Sequence, residues 1–114
     1  MPYLKVQTNV ALDAAAQTEL MQQASQLVAK QLGKPESYVM VTVETGRPML
    51  FAGTDAPLAY LELKSIGLPA DATGSLSQAL CSLMAERLDV AQDRVYTEFA
   101  DAARHMWGWN GGTF

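Results

Sequence analysis

The 114-residue sequence predicts an α/β fold of the two-layer α+β kind. In it, two βαβ repeats form a four-stranded mixed sheet with two helices on one face. Three observations predict this. Apolar residues alternate at period two, then recur at helical spacing, then alternate again, and that order occurs twice. Sliding the sequence on itself by 56 positions aligns identical residues at Leu12/Leu68, Ala14/Ala70, Ala16/Ala72, Leu20/Leu76, Gln22/Gln78, Leu27/Leu83, Ala29/Ala85, Leu32/Leu88 and Val39/Val95. Composition alone would give roughly two or three such matches in that window, so the two halves repeat one unit. Finally, the length suits one domain, and 49% hydrophobic with 18% charged residues is the balance of a folded chain. Residues 1–114 therefore read as a single domain with internal repeats at approximately 2–57 and 58–114.

Taken in order, Tyr3 to Thr8 alternates Leu4 and Val6 against Lys5 and Gln7, the pattern of a strand with one buried face. A helix from about Ala14 puts Leu20, Ala24, Leu27, Val28 and Leu32 on one side, with Asp13 as its N-cap and Gly33 before Lys34-Pro35 as its stop. Tyr38 to Val43 reads as a strand apolar on both faces. Such a strand has to be covered on both sides, which favours a homo-oligomer over a half-exposed second face. In the second repeat, Tyr60 to Lys64 is a strand and Gly67 to Gly74 a loop. A helix from about Ser75 buries Leu76, Ala79, Leu80, Leu83, Met84 and Leu88. Val95 to Phe99 is the next strand, and Met106 to Trp109 adds a short final one. Right-handed crossovers put both helices on the same face of the sheet.

Composition excludes several function classes. The net charge is −4 and the eight Lys and Arg form no stripe, which argues against nucleic acid as a partner. One cysteine, Cys81, permits no internal disulfide or Cys-rich metal site, and one histidine, His105, no His-rich one. No apolar run approaches the length of a membrane span, so no membrane association is expected. The start MPYLKVQTNV lacks the apolar run of a signal peptide, and the expected location is cytoplasmic.

Position 2 is the most informative for chemistry. Removal of Met1 would leave Pro2 with a secondary amine at the start of a strand, and an α-amine in apolar surroundings beside a cation is a general base near neutral pH. Met-Pro is also an ordinary way for a chain to begin. Lys34 would hold a carboxylate, or simply complement the end of its helix. Tyr96 and Glu98 share one face of a strand, at a site or on a solvated surface. Trp107, Trp109 and Phe114 would line an apolar pocket or pack the sheet edge. Asp101 and His105 are spaced four apart, but no nucleophile accompanies them. Asn110-Gly111-Gly112 reads as a turn rather than a phosphate cradle.

Five fragments, in order, carry a resemblance: Met1-Pro2; Gly33-Lys34-Pro35-Glu36-Ser37-Tyr38-Val39; Lys64-Ser65-Ile66-Gly67; Leu83-Met84-Ala85-Glu86-Arg87-Leu88 with Asp93-Arg94-Val95-Tyr96; and Gly108-Trp109-Asn110 with Thr113-Phe114. Together they span the chain, and it resembles the macrophage migration inhibitory factor family of the tautomerase superfamily. The resemblance implies the trimeric tautomerase fold, with sites between the subunits of a homotrimer. It implies keto–enol tautomerisation of small aromatic α-keto acids such as phenylpyruvate, with no metal and no cofactor. Pro2 would be the base. Lys34 and the backbone of Ile66, next to Ser65, would hold the carboxylate and the adjacent oxygen. Tyr96, with Glu98 on the same strand face, would come from the neighbouring subunit. Tyr3, Tyr38, Met106, Trp107 and Phe114 would shape the ring pocket. A cytokine-like signalling ligand with a vestigial site is the alternative, and family members leave cells without a secretion signal. Two departures stand out. The family's C-x-x-C falls at Leu58-Ala59-Tyr60-Leu61, which removes the basis for thiol oxidoreduction. Glu98 stands where the mammalian proteins usually carry Asn, which predicts an altered preference among ring-hydroxylated substrates.

Overall fold

A computed structural model describes residues 1–114. Two strand–helix–strand units follow one another. The first comprises β1 (Tyr3–Thr8), α1 (Ala14–Leu32) and β2 (Met40–Glu44); the second comprises β3 (Ala59–Ile66), α2 (Thr73–Leu88) and β4 (Val95–Ala102). The sheet order is β2-β1-β3-β4. Strands pair in parallel within each unit, and β1 meets β3 antiparallel at the junction. This is the four-stranded mixed sheet the repeat predicts.

Local chemistry explains the helix ends. The Asp13 side chain accepts a hydrogen bond from the Ala16 amide at 2.8 Å and so caps α1. At the other end Gly33 adopts φ 62°, and the Lys34 amide donates back to the Ala29 carbonyl. Only glycine takes that left-handed turn without strain, and the turn aims the next residue away from the helix axis. Helix α2 starts two residues before the expected Ser75, because the 3-10 turn Ala70–Ala72 runs straight into it.

The core lies between the sheet and the helices. Leu4, Val6, Leu61 and Leu63 from the strands meet Leu20, Ala24 and Val28 of α1 and Leu76, Leu80, Met84 and Leu88 of α2. Ala79 is only half-buried. The reading of residues 38–43 as a strand apolar on both faces is corrected. Pro35 leads into a 3-10 turn, Glu36–Tyr38, so β2 begins at Met40. Val39, Val41 and Val43 then pack on the core, while Met40, Thr42 and Glu44 face the other way. Across the open face the register sets Thr42, Lys5, Glu62 and Glu98 in one row and Glu44, Gln7, Tyr60 and Tyr96 in the next. That face is largely polar, so it supplies no apolar argument for an oligomer.

The chain ends in a small hairpin rather than a single strand: β5 (Gly108–Trp109) pairs with β6 (Gly112–Thr113). Asn110 and Gly111 between them both have positive φ, as a two-residue hairpin turn requires.

Candidate active site

The β1–β3 ladder ends with Tyr3 opposite Lys64, so Pro2 enters at the end of β3 that carries Ser65 and Ile66. A cleft of about 230 Å³ opens there, lined by Met1, Pro2, Tyr3, Ser37, Tyr38, Val39, Met40 and the hairpin residues Trp107, Gly108, Trp109 and Phe114. Pro2 is fully buried, and its carbonyl accepts from the Met40 amide at 3.0 Å. Aromatic rings build the walls. Trp109 stacks on Phe114 with centroids 5.3 Å apart, and Tyr38 meets Trp109 and Phe114 edge-on at 5.6 and 5.7 Å. Such pairs hold one another in fixed orientations.

The polar groups converge on the same end. The Lys34 ammonium donates to Ser65 Oγ at 2.9 Å and to the Ile66 carbonyl. Ser65 is fully buried, so this cation is anchored from below. An ammonium carries three N–H donors, and two are used, which leaves one for an anion. Burial, then the positive charge of Arg104, hold Lys34 below its ordinary pKa, against a smaller opposing effect of Asp101. The Met1 amine donates to the Tyr38 carbonyl at 2.7 Å. Burial first, then Lys34, hold this amine below the ordinary value of 8.0. The chain therefore brings an amine of lowered proton affinity, an anchored cation and an aromatic wall together.

Of the residues expected at the site, Pro2, Tyr3, Tyr38, Trp107 and Phe114 line the cleft; Lys34, Ser65 and Ile66 bond one another at the same end of the sheet but are not part of its lining. The Ile66 carbonyl accepts from Lys34. Met106 is 73% exposed and does not line this chain's cleft. Tyr96 lies toward the other end of the sheet, and Glu98 in its middle row beside Glu62 and Lys5. Asp101 is the β4 residue in register with Ser65, and Tyr96 is about 16 Å from it along the strand at β-strand rise. Trp109, expected at a pocket or at the sheet edge, stands in the cleft wall. Arg104, a second cation near Lys34, was not expected, and nothing local in the sequence marks it.

The family model for macrophage migration inhibitory factor (MIF) matches residues 1–114. The chain belongs to the MIF family. It is 38% identical to the MIF homolog of Brugia malayi and 37% identical to MIF of Mus musculus, in each case over all of this chain and 99% of the relative. The crystal structure of the MIF homologue from Prochlorococcus marinus superimposes with a TM-score of 0.92 at 40% identity, covering 98% of both chains. MIF-family membership fits the fold described above, with two helices on a β2-β1-β3-β4 sheet. Where the family's C-x-x-C would fall, Leu58, Ala59 and Leu61 are buried, and the chain's one thiol, Cys81, is buried on α2.

Proposed function

We propose that the cleft is the site of a cofactor-independent keto–enol tautomerase acting on phenylpyruvate-type α-keto acids, with the amine of Pro2 as the general base once Met1 is removed. The observation that carries this reading is an N-terminal amine whose proton affinity is lowered by burial and by Lys34, at the mouth of an aromatic cleft. Pro2 lines the same cleft as Met1, so its freed amine would meet the same two influences, apolar surroundings and a nearby cation. The third N–H of Lys34 would take the substrate carboxylate, and the rings of Tyr38, Trp107, Trp109 and Phe114 its phenyl group. Pro2 nitrogen then removes the proton from the carbon next to the carbonyl. The C–H electron pair moves to form the C=C bond as the carbonyl becomes an enolate, and the proton is returned to that oxygen. Starting from the enol, the same steps run backward, and atoms and electrons balance in both directions. Lys34 stabilises negative charge developing beside the carboxylate.

The same reading makes the working unit a homotrimer. Two features of one chain support head-to-tail assembly. The cleft end is aromatic and cationic, with Lys34 and Arg104, whereas the opposite end offers an exposed aromatic, Tyr96, with the carboxylates of Glu62 and Glu98 one row nearer the middle of the sheet. Cations at one end and carboxylates nearer the other would suit a heterologous contact. Tyr96 of one chain would then complete the cleft of the next. The test is an enol–keto assay with phenylpyruvate on protein whose N-terminus is verified by mass. Pro2→Ala is expected to lose about tenfold or more of the rate, the contribution of a positioned base; full activity would overturn the assignment.

A further inference from the structure

The segment between β2 and β3 carries no helix or strand, yet it is held in detail. Phe51 and Thr54 exchange backbone hydrogen bonds at 3.0 and 3.1 Å around Ala52 and Gly53, both at positive φ. Arg94, just before β4, spends its guanidinium on this segment. Its Nε donates to the Pro57 carbonyl at 3.1 Å, Nη1 to Phe51 at 3.1 Å, and Nη2 to Thr54 at 3.1 Å and Ala56 at 3.0 Å. The same group lies 5.3 Å from the centre of the Phe51 ring. Phe51 in turn contacts the ring of Tyr96 with centroids 4.6 Å apart. Tyr96 is 65% exposed, and an exposed side chain ordinarily hops between rotamers within nanoseconds.

We infer that Arg94 is a positioning residue for the proposed site: by clamping the Phe51–Pro57 carbonyls it holds the Phe51 ring against Tyr96, and so fixes the phenol that one chain lends to its neighbour's cleft. This rests on the reading above for the destination of Tyr96, but not for its immobilisation. The physical case is one of geometry. Four carbonyls converge on one planar fork, which no other side chain reproduces; a lysine ammonium has fewer donors and no plane to lay on a ring. Ordering Tyr96 before assembly also removes an entropy cost that would otherwise fall on binding. None of the four bonds involves a side-chain acceptor, so Phe51→Leu deletes the ring contact and leaves the clamp intact.

The experiment incorporates fluorotyrosine and follows the ¹⁹F signal of Tyr96, assigned among the four tyrosines by its loss in Tyr96→Phe. In Arg94→Lys, and in Phe51→Leu should the first variant fold poorly, that signal is expected to sharpen and move toward free fluorotyrosine while the other three hold. An unchanged signal in the folded variant overturns the inference whether or not the protein turns over a keto acid. In phenylpyruvate turnover, Arg94→Lys is expected to lower kcat/KM roughly tenfold, mostly through KM, as small misplacements of binding groups do. That loss is expected to vanish in a Tyr96→Ala background, and a loss that simply adds to that of Tyr96→Ala overturns the inference. Tyr96→Ala with parental turnover instead overturns the shared-site reading, and the ¹⁹F result then decides the immobilisation by itself.

Discussion

Lys34 ties the site's electrostatics together at the scale of single residues. Its ammonium is pinned by Ser65 and Ile66 and acts on the N-terminal amine nearby. For that amine to serve as a base it must be neutral, so the acidic limb of the kcat/KM profile marks its pKa. Burial is the larger cause of lowering and Lys34 the smaller. Lys34→Gln is therefore expected to raise KM and move the acidic limb toward higher pH, with the larger effect of burial still in place. A limb that stays in place would show that Lys34 does not act on the base. Glu98 is the other decisive residue. Its Oε2 accepts from the Tyr60 hydroxyl at 2.8 Å, and the same hydroxyl lies 3.1 Å from Glu62. The Glu98 carboxylate, with burial and Glu62 behind it, holds the Tyr60 phenol far above its ordinary pKa. Tyr60 thus engages one oxygen of Glu98 and leaves the other able to accept a ring hydroxyl. Glu98→Asn is expected to shift the ratio of kcat/KM for hydroxyphenylpyruvate over phenylpyruvate downward about fivefold, the worth of one hydrogen bond of ~1 kcal/mol. An unchanged ratio would take Glu98 out of substrate recognition.

Among the elements, the turn after α1 matters most to the site, because it aims Lys34. Gly33 sits at φ 62°, and a Cβ there costs about 1 kcal/mol or more of backbone strain. Gly33→Ala is expected to lower stability by about that amount in urea unfolding and to raise KM for phenylpyruvate, because Lys34 loses its approach to Ser65. Lost stability with unchanged KM would separate the turn from the site. Both this turn and the Asp13 cap were legible in the sequence, since capping depends on residues within one turn of each other. The two βαβ units were legible because the repeat is ungapped. The start of β2 was not, because a 3-10 turn after Pro35 buries Val39 as a strand would, so hydrophobicity could not tell the two apart. The clamp on residues 51–57 was also hidden. The acceptors of Arg94 are backbone carbonyls about forty positions away that no residue type announces.

For the whole molecule, the cleft and Tyr96 sit at opposite ends of one sheet, so a shared site needs a second copy. Chains carrying Pro2→Ala and chains carrying Tyr96→Ala, unfolded and refolded together, are expected to regain activity above either alone. Some interfaces then join an intact Pro2 to an intact Tyr96; no regain would place each complete site within one chain. The aromatic cleft was legible as a cluster at the C-terminus, but its distance from Tyr96 depends on strand register, which a single sequence does not display. Central to the account is a free Pro2 amine acting as a base. The most direct measurement compares phenylpyruvate tautomerisation by protein whose mass shows Met1 removed with protein whose mass shows Met1 retained. With Met1 retained, Pro2 nitrogen is an amide and has no basicity to offer. Turnover in the processed protein, with at least a tenfold loss when Met1 stays, the worth of a positioned base, is the predicted result. Equal turnover in the two, or none in the processed form, would contradict it.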